Sequence, residues 1–142
     1  MTLTISETRD IALCRALRRR VFTLEQGVSE ADELDENDAA ALHLLALQDG
    51  VAVGTARVLV MGNVGKIGRV CVLASARGKG IGAALITEAV DRCKGMTGVT
   101  IVRLGAQTHA LAFYARLGFA SVGAVYIDAG IPHRDMERML VR

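Results

Sequence analysis

The chain contains no tryptophan, and its two tyrosines and three phenylalanines amount to an aromatic fraction of only 4%. So thin a supply gives no sign of an aromatic cage for a substrate. Proline occurs once, at Pro132, and with a hydrophobic fraction of 51% this excludes a disordered chain. Cysteine is also scarce. Cys14, Cys71 and Cys93 stand singly on apolar faces, which argues for reduced core residues, against a disulfide or zinc framework, and for no metal site. No apolar run approaches membrane-spanning length, and the stretch from Met1 to Asp10 lacks the apolar core of a leader. A cytoplasmic protein without a membrane partner is expected. Charge of one sign is missing too: the net charge is +2, and the basic residues are scattered except for Arg18-Arg19-Arg20, so nucleic acid is not an expected partner. The 142 residues suit one domain, 1–142, with a core of its own.

Glycine, by contrast, is plentiful, and its densest use lies in the stretch Gly68 to Lys94. Through Leu73 this stretch is short, β-branched and apolar, the pattern of a buried strand. From Ile81 the residues Ile81, Leu85, Ile86, Ala89, Val90 and Cys93 recur at helical spacing. Between strand and helix lies Arg77-Gly78-Lys79-Gly80-Ile81-Gly82, followed by Ala83. Alternating glycines before a helix leave successive backbone N–H groups uncovered at the positive end of the macrodipole. Such a loop suits phosphate, and the cations Arg77 and Lys79 suit more than one phosphate. The spacing is neither a Walker A sequence nor Gly-x-Gly-x-x-Gly.

The remaining elements follow in order. Leu3 and Ile5 alternate with polar residues in a short first strand. Asp10 can cap a helix in which Ile11, Cys14, Leu17, Val21 and Leu24 face inward and Arg15, Arg18 and Arg19 form a polar side, with Gly27 as its stop. Glu30 to Asp38 is an acidic loop or weak helix, read either as a soluble surface or as a lure for a cationic amine. His43 to Leu47, a turn at Asp49-Gly50, Val51 to Met61 and a turn at Gly62 to Gly65 make an antiparallel meander that leads into the central strand. Val99 to Leu104 is a strand after a helical crossover, which favours a parallel partner. Thr108 can cap a helix from Ala110 to Leu117, ended by Gly118. Two strands, Phe119 to Ile127 and Arg134 to Val141, are then joined by Asp128 to His133. This is an α/β order with a mixed sheet of about seven strands and helices on both faces.

Arg77-x-x-Gly80-x-Gly82 at a strand-to-helix junction resembles the pyrophosphate-binding motif of the GNAT superfamily of acyl-CoA-dependent N-acetyltransferases, and the order of elements matches that fold along nearly the whole chain. Gln107 to Phe119 resembles the GNAT helix ending in Tyr-x-x-x-Gly-Phe. Val21 to Gln26, His43-Leu44, Ala56 to Val58, Ile67 to Val70, Leu104 to Ala110 and Gly130 to Met136 together look like the ElaA-like branch.

The resemblance implies acetyl-CoA as co-substrate, an amine as acceptor and no metal. It implies CoA contacts from Val70, Cys71, Val72, Arg77, Gly78, Lys79, Gly80, Ile81, Gly82, Ala83, Gln107 and Phe113, with Tyr114 as the acid that protonates the departing thiolate. Gln107 stands where family members often have asparagine, and Arg69 stands where some carry a glutamate base. The base is therefore sought among Glu25, His43, His109 and His133, with Glu25 and His133 preferred as catalytic residues. Phe22, Arg57, His43 and His109 join them as acceptor-site candidates, although Arg57 can equally pair with an acid in the 30s and Glu25 can cap a helix or pair with an arginine. Cys71 has no His/Asn constellation to make it a nucleophile, so direct transfer is expected. Two other readings stand: an enzyme similar to acyl-homoserine-lactone synthases, which Arg18-Arg19-Arg20-Val21-Phe22 imitates, and a non-catalytic acyl-CoA sensor. A homodimer is left open, as is the identity of the amine.

Overall fold

In the computed structural model, which describes residues 2–141, seven strands form one mixed sheet. They are β1 (Leu3–Thr8), β2 (Leu42–Gln48), β3 (Val51–Met61), β4 (Val64–Val72), β5 (Ile101–Gln107), β6 (Ala120–Asp128) and β7 (Ile131–Met139), in the order β1-β2-β3-β4-β5-β7-β6. Every neighbouring pair is antiparallel except β4–β5. That pair is joined by the helical crossover α3 (Ile81–Lys94), as a parallel connection requires. The β2–β3 hairpin turns through Asp49 and Gly50, both left-handed, as an Asp-Gly turn should.

Helices cover both faces. On one, α3 lays Ile81, Leu85, Ile86, Ala89, Val90 and Cys93 against Leu44, Ala46, Ala56, Val58 and Ile67, and α4 (Leu111–Arg116) adds Leu111 and Tyr114 to the same core. On the other, α1 (Ile11–Arg18) packs Leu17, with Val21 just beyond it, onto Leu45, Cys71 and Leu73. With cover on both sides, His43 to Ala46 are all buried, and β2 reads as a continuous apolar run. The three cysteines are free and buried.

Four expectations need correction. The first helix is capped by Asp10, whose carboxylate accepts from Leu13 N at 3.1 Å. Beyond Arg18 it widens into a π-helical stretch, Arg19–Glu25. The wider turn re-phases the face, so Leu24 swings out to 67% exposure instead of joining the core. Arg18 is not on a solvated face: it is 1% exposed, because the acidic segment folds back over it as α2 (Glu30–Glu33) and a 3₁₀ turn, Glu36–Ala39. Thr108 does not cap a helix; it opens a 3₁₀ turn that precedes the short α4. Finally, the last hairpin turns at Ala129-Gly130, so His133 lies inside β7 rather than in a connection. Pro132 is tolerated there because β7 meets β5 only from His133 onward, leaving no β5 acceptor for the missing N–H.

Candidate active site

Strands β4 and β5 run side by side for four rungs, Val64–Ile101 to Ile67–Leu104, and then separate. The cause is local. Between Thr55 and Arg57 of β3, β4 carries one extra residue, a bulge at which Arg69 takes φ 52°. The strand bends away, and Gly68 to Val72 on one arm face Gly105 to Gln107 on the other across a wedge. A cleft of about 1020 Å³ follows this wedge from the glycine loop to β6 and β7.

At one end of the cleft, Gly78 and Gly80 are left-handed (φ 78° and 77°), with open space where a Cβ would stand. Gly80 is the N-cap of α3, and no side chain caps that end. The first-turn amides of a fourteen-residue helix therefore face the cleft unpaired, which is the geometry of an anion site. Lys79 is exposed beside them. Ile81, Gly82 and Ala83 begin the helix, with Gly82 against the Phe113 ring.

Arg77 sits differently from a free phosphate ligand. Its Nε donates to Val72 O at 3.0 Å, and its two terminal nitrogens donate to both oxygens of Glu25 at 2.5 and 2.8 Å. Hydrogen bonding from Arg77 holds the Glu25 carboxyl below the ordinary range. Next to it, Gln26 Oε1 accepts from Gln107 Nε2 at 3.0 Å, and Gln107 Oε1 accepts from His109 Nε2 at 2.7 Å. The end of the π-helical stretch thus straps both arms of the wedge. Gln107 and His109 bind each other rather than facing the cleft unpartnered.

Midway, Tyr114 of α4 lines the cleft, its ring edge-on to Phe113 (centroids 5.0 Å apart) and Phe119 (6.2 Å). Burial pushes its phenol above the ordinary tyrosine value, so it stays protonated. Val70, Cys71 and Val72 present backbone along the β4 arm. The Cys71 thiol is buried among Leu17, Val21 and Leu73, and burial pushes it up to about 12, which leaves it inert as a nucleophile.

At the far end, one wall is the α2 segment. Asp38, 1% exposed, accepts from Arg15, Arg18 and Arg57 at 2.8–2.9 Å; Asp35 takes Arg57 in a bidentate pair at 2.6 and 2.7 Å; Glu33 takes Arg18. Arg69 donates to Glu33 O at 3.0 Å and lies 3.3 Å from Asp35. Every carboxylate in this cluster is thus occupied by arginine, and so is Arg57. Through Glu33, Asp35 and Asp38 the acidic stretch neutralises buried guanidinium groups, while exposed Asp32 lines the cleft; Arg57 is not free to hold an acceptor carboxylate.

The opposite wall is Tyr126, Asp128, Ile131 and His133. His133 Nδ1 lies 2.7 Å from Ile131 O. A carbonyl only accepts, so Nδ1 carries a proton, and the tautomer compatible with this bond is the one with its lone pair on Nε2. Phe22 and Glu25 also line the cleft. His43 does not. It is 3% exposed in β2, donates from Nε2 to Asp38 O at 2.8 Å, and borders a separate small pocket with Glu7, Thr8 and Ile11.

A wedge between parallel neighbours, with an uncapped glycine-led helix at one end and a half-buried tyrosine beside it, lies in a chain that a family model also matches. The model described as an acetyltransferase (GNAT) domain covers residues 14–140. The chain belongs to the GNAT acetyltransferase family. Among GNAT relatives, a Bacillus subtilis protein named as an acetyltransferase is 36% identical over 132 residues, 91% of this chain and 89% of that one. Escherichia coli ElaA is 34% identical over 131 residues, covering 89% and 85%. The crystal structure of ElaA superposes with a TM-score of 0.85 over 96% of this chain and 99% of that chain. So does an acyl-CoA N-acyltransferase from Pseudomonas aeruginosa, at 33% identity, a TM-score of 0.85 and coverage of 96% and 98%. The mixed seven-stranded sheet is the GNAT fold. No helix among the described residues is long and apolar enough to cross a membrane, and no cluster among them could hold a metal ion.

Sequence reasoning missed Tyr126 in this GNAT cleft and Asp135, which accepts from its hydroxyl. The available signal was Gly105: a glycine inside an apolar strand marks the close approach of another group, here the Tyr126 hydroxyl.

Proposed function

We propose that the chain transfers an acetyl group from acetyl-CoA to a primary amine of a small molecule or peptide by direct attack on the thioester. The observation that carries this reading is the uncapped N-terminus of α3 opening onto the same cleft as Tyr114 and the unpaired arm of β4. The α3 amides, with Lys79, suit a diphosphate, and the Gly68–Val72 arm offers backbone groups to an amide-bearing chain laid along it.

An acceptor amine arrives protonated. His133 Nε2 takes that proton, directly or through water, and the neutral amine attacks the thioester carbon as the C–N bond forms. The nitrogen of the tetrahedral centre gives up its second proton to solvent as the centre collapses with cleavage of the C–S bond, and the Tyr114 phenol gives its proton to the departing sulfur; solvent then restores the phenol and takes the proton held by His133, one proton being released overall. Glu25 has its carboxylate taken up by Arg77, which leaves His133 of the preferred pair as the base. Partners are accordingly acetyl-CoA and an amine, in a cytoplasmic setting.

The test is calorimetric titration of the ligand-free protein with acetyl-CoA, then free-thiol release with spermidine, lysine, kanamycin and a short peptide N-terminus as acceptors. Saturable binding and amine-dependent release are expected; absence of binding would remove the proposal. A Gly80→Val variant isolates the loop. Valine at φ 77° is strained by about 1–2 kcal/mol and places carbon on the open anion side. CoA affinity should fall about tenfold or more with the fold retained; unchanged affinity would exclude the loop as the phosphate site.

A further inference from the structure

Tyr126 belongs to β6, the outermost strand, whose side chains are nearly all exposed, yet its ring is held from three directions. It stacks on the imidazole of His133, its partner in the β6–β7 register, with centroids 5.9 Å apart and planes 20° apart. Its hydroxyl crosses β7 and donates to Asp135 Oδ1 at 2.6 Å. The same oxygen sits over Gly105 of β5, the register partner of Asp135, where a Cβ would lie only 2.5 Å from it.

The edge strand is deformed to reach this place. Between Val122 and Tyr126, β6 advances four residues while β7 advances two, from Asp135 to His133. The extra residues bulge through Gly123 at φ 74°, whose carbonyl accepts from Arg134 Nε at 2.9 Å. A bulge, a glycine cradle and a charge-assisted hydrogen bond all converge on one exposed ring. Packing does not account for them, because the strand buries almost nothing else.

They do account for the orientation of His133. With Nδ1–H bound to Ile131 O and one ring face covered by the phenol, the imidazole has a single seat and Nε2 a single direction. We propose that Tyr126 is a positioning residue, holding the His133 imidazole in the acceptor cleft through the Gly105 cradle and the Asp135 hydrogen bond. This rests on the reading of His133 as the base. The other titratable and charged groups around the ring are Asp128 on β6, Arg134 and Asp135 on β7, and His109 just beyond Gln107, the β5 partner of His133.

The experiment has two arms on the full chain. In the first, long-range proton–nitrogen NMR of the ligand-free protein reads the His133 tautomer, assigned by its loss in His133→Gln. A single Nδ1–H form is expected, giving way to an averaged signal in Tyr126→Leu and, from a different strand, in Gly105→Ala. In the second, the pH profile of thiol release is measured with the fastest of the four acceptor amines. Tyr126→Leu should lower turnover about tenfold and move the limb that His133→Gln abolishes, with the KM for acetyl-CoA unchanged. Tyr126→Phe, which keeps the stack and loses the hydrogen bond, should fall between. A wild-type tautomer and turnover in Tyr126→Leu, with His133→Gln impaired, would overturn the positioning role alone. Wild-type turnover in His133→Gln would overturn the base and the role built on it. Melting curves for each variant separate these results from misfolding.

Discussion

An Asp38→Asn variant is expected to lose about 3–5 kcal/mol of folding stability, a large share of what a domain this size has in hand. Asp38 is 1% exposed and is the one carboxylate shared by Arg15, Arg18 and Arg57. An amide oxygen can still accept, but three guanidinium groups then face each other with one negative charge fewer. Arg18 is already buried with Nη2 unpartnered, and its other acceptor, Glu33, is already engaged at Nε. The pH dependence follows from the same geometry. Burial works against the Asp38 charge, but the hydrogen bonds from Arg18, Arg15 and Arg57 outweigh it and hold its pKa far below the ordinary value. For Asp35, the Arg57 hydrogen bonds dominate and bring it to about 2. Both folded-state values are depressed, so their stabilisation is present in full above the unfolded carboxylate value near ~4 and is lost as pH falls through the folded values. The melting temperature should drop steeply between about pH 4 and pH 2, and Asp38→Asn should flatten that slope. Chemical denaturation of the variant within about 1 kcal/mol of the wild type would show that the cluster contributes little.

Turnover of Tyr114→Phe is expected to fall about 100-fold while acetyl-CoA affinity changes little. The substitution removes only the oxygen. Both edge-to-face ring contacts, to Phe113 and Phe119, survive it, so binding losses from repacking should be small. Because burial holds the phenol above the ordinary tyrosine value, the acid form persists through neutral pH, and any alkaline fall in turnover owed to Tyr114 should begin above that value. Thiol-release rates set against calorimetric affinities decide the matter; equal losses in both would make Tyr114 a packing residue.

Periodicity and turn chemistry carried the order of elements along the chain, the antiparallel meander, the crossover helix and the glycine loop, since these depend on near neighbours in sequence. What escaped was long-range pairing. For Arg57 an acid in the 30s is legible as one of two partners, but Arg18 and those acids look like surface residues until the segment after Gly27 folds back, which brings charges about twenty positions apart into contact. An arginine partner for Glu25 is legible, but not that it is Arg77, fifty-two residues away. The π-helical turn was hidden because its residues keep an apolar spacing that an α-helix also fits. His133 was placed in a loop because Gly130 and Pro132 flank it, whereas the turn closes in only two residues.

The wedge between β4 and β5 carries a consequence for how such a chain can vary. Its two arms expose peptide groups, and peptide groups are the same whatever side chains they bear. A partner read mainly through main chain and through glycines imposes little on the surrounding residue identities, so substitutions accumulate along the arms without erasing the wedge. Relatives that differ from this chain at most positions can therefore keep one shape, and divergence is free to concentrate on the far wall, where a new acceptor can be met without disturbing the donor side.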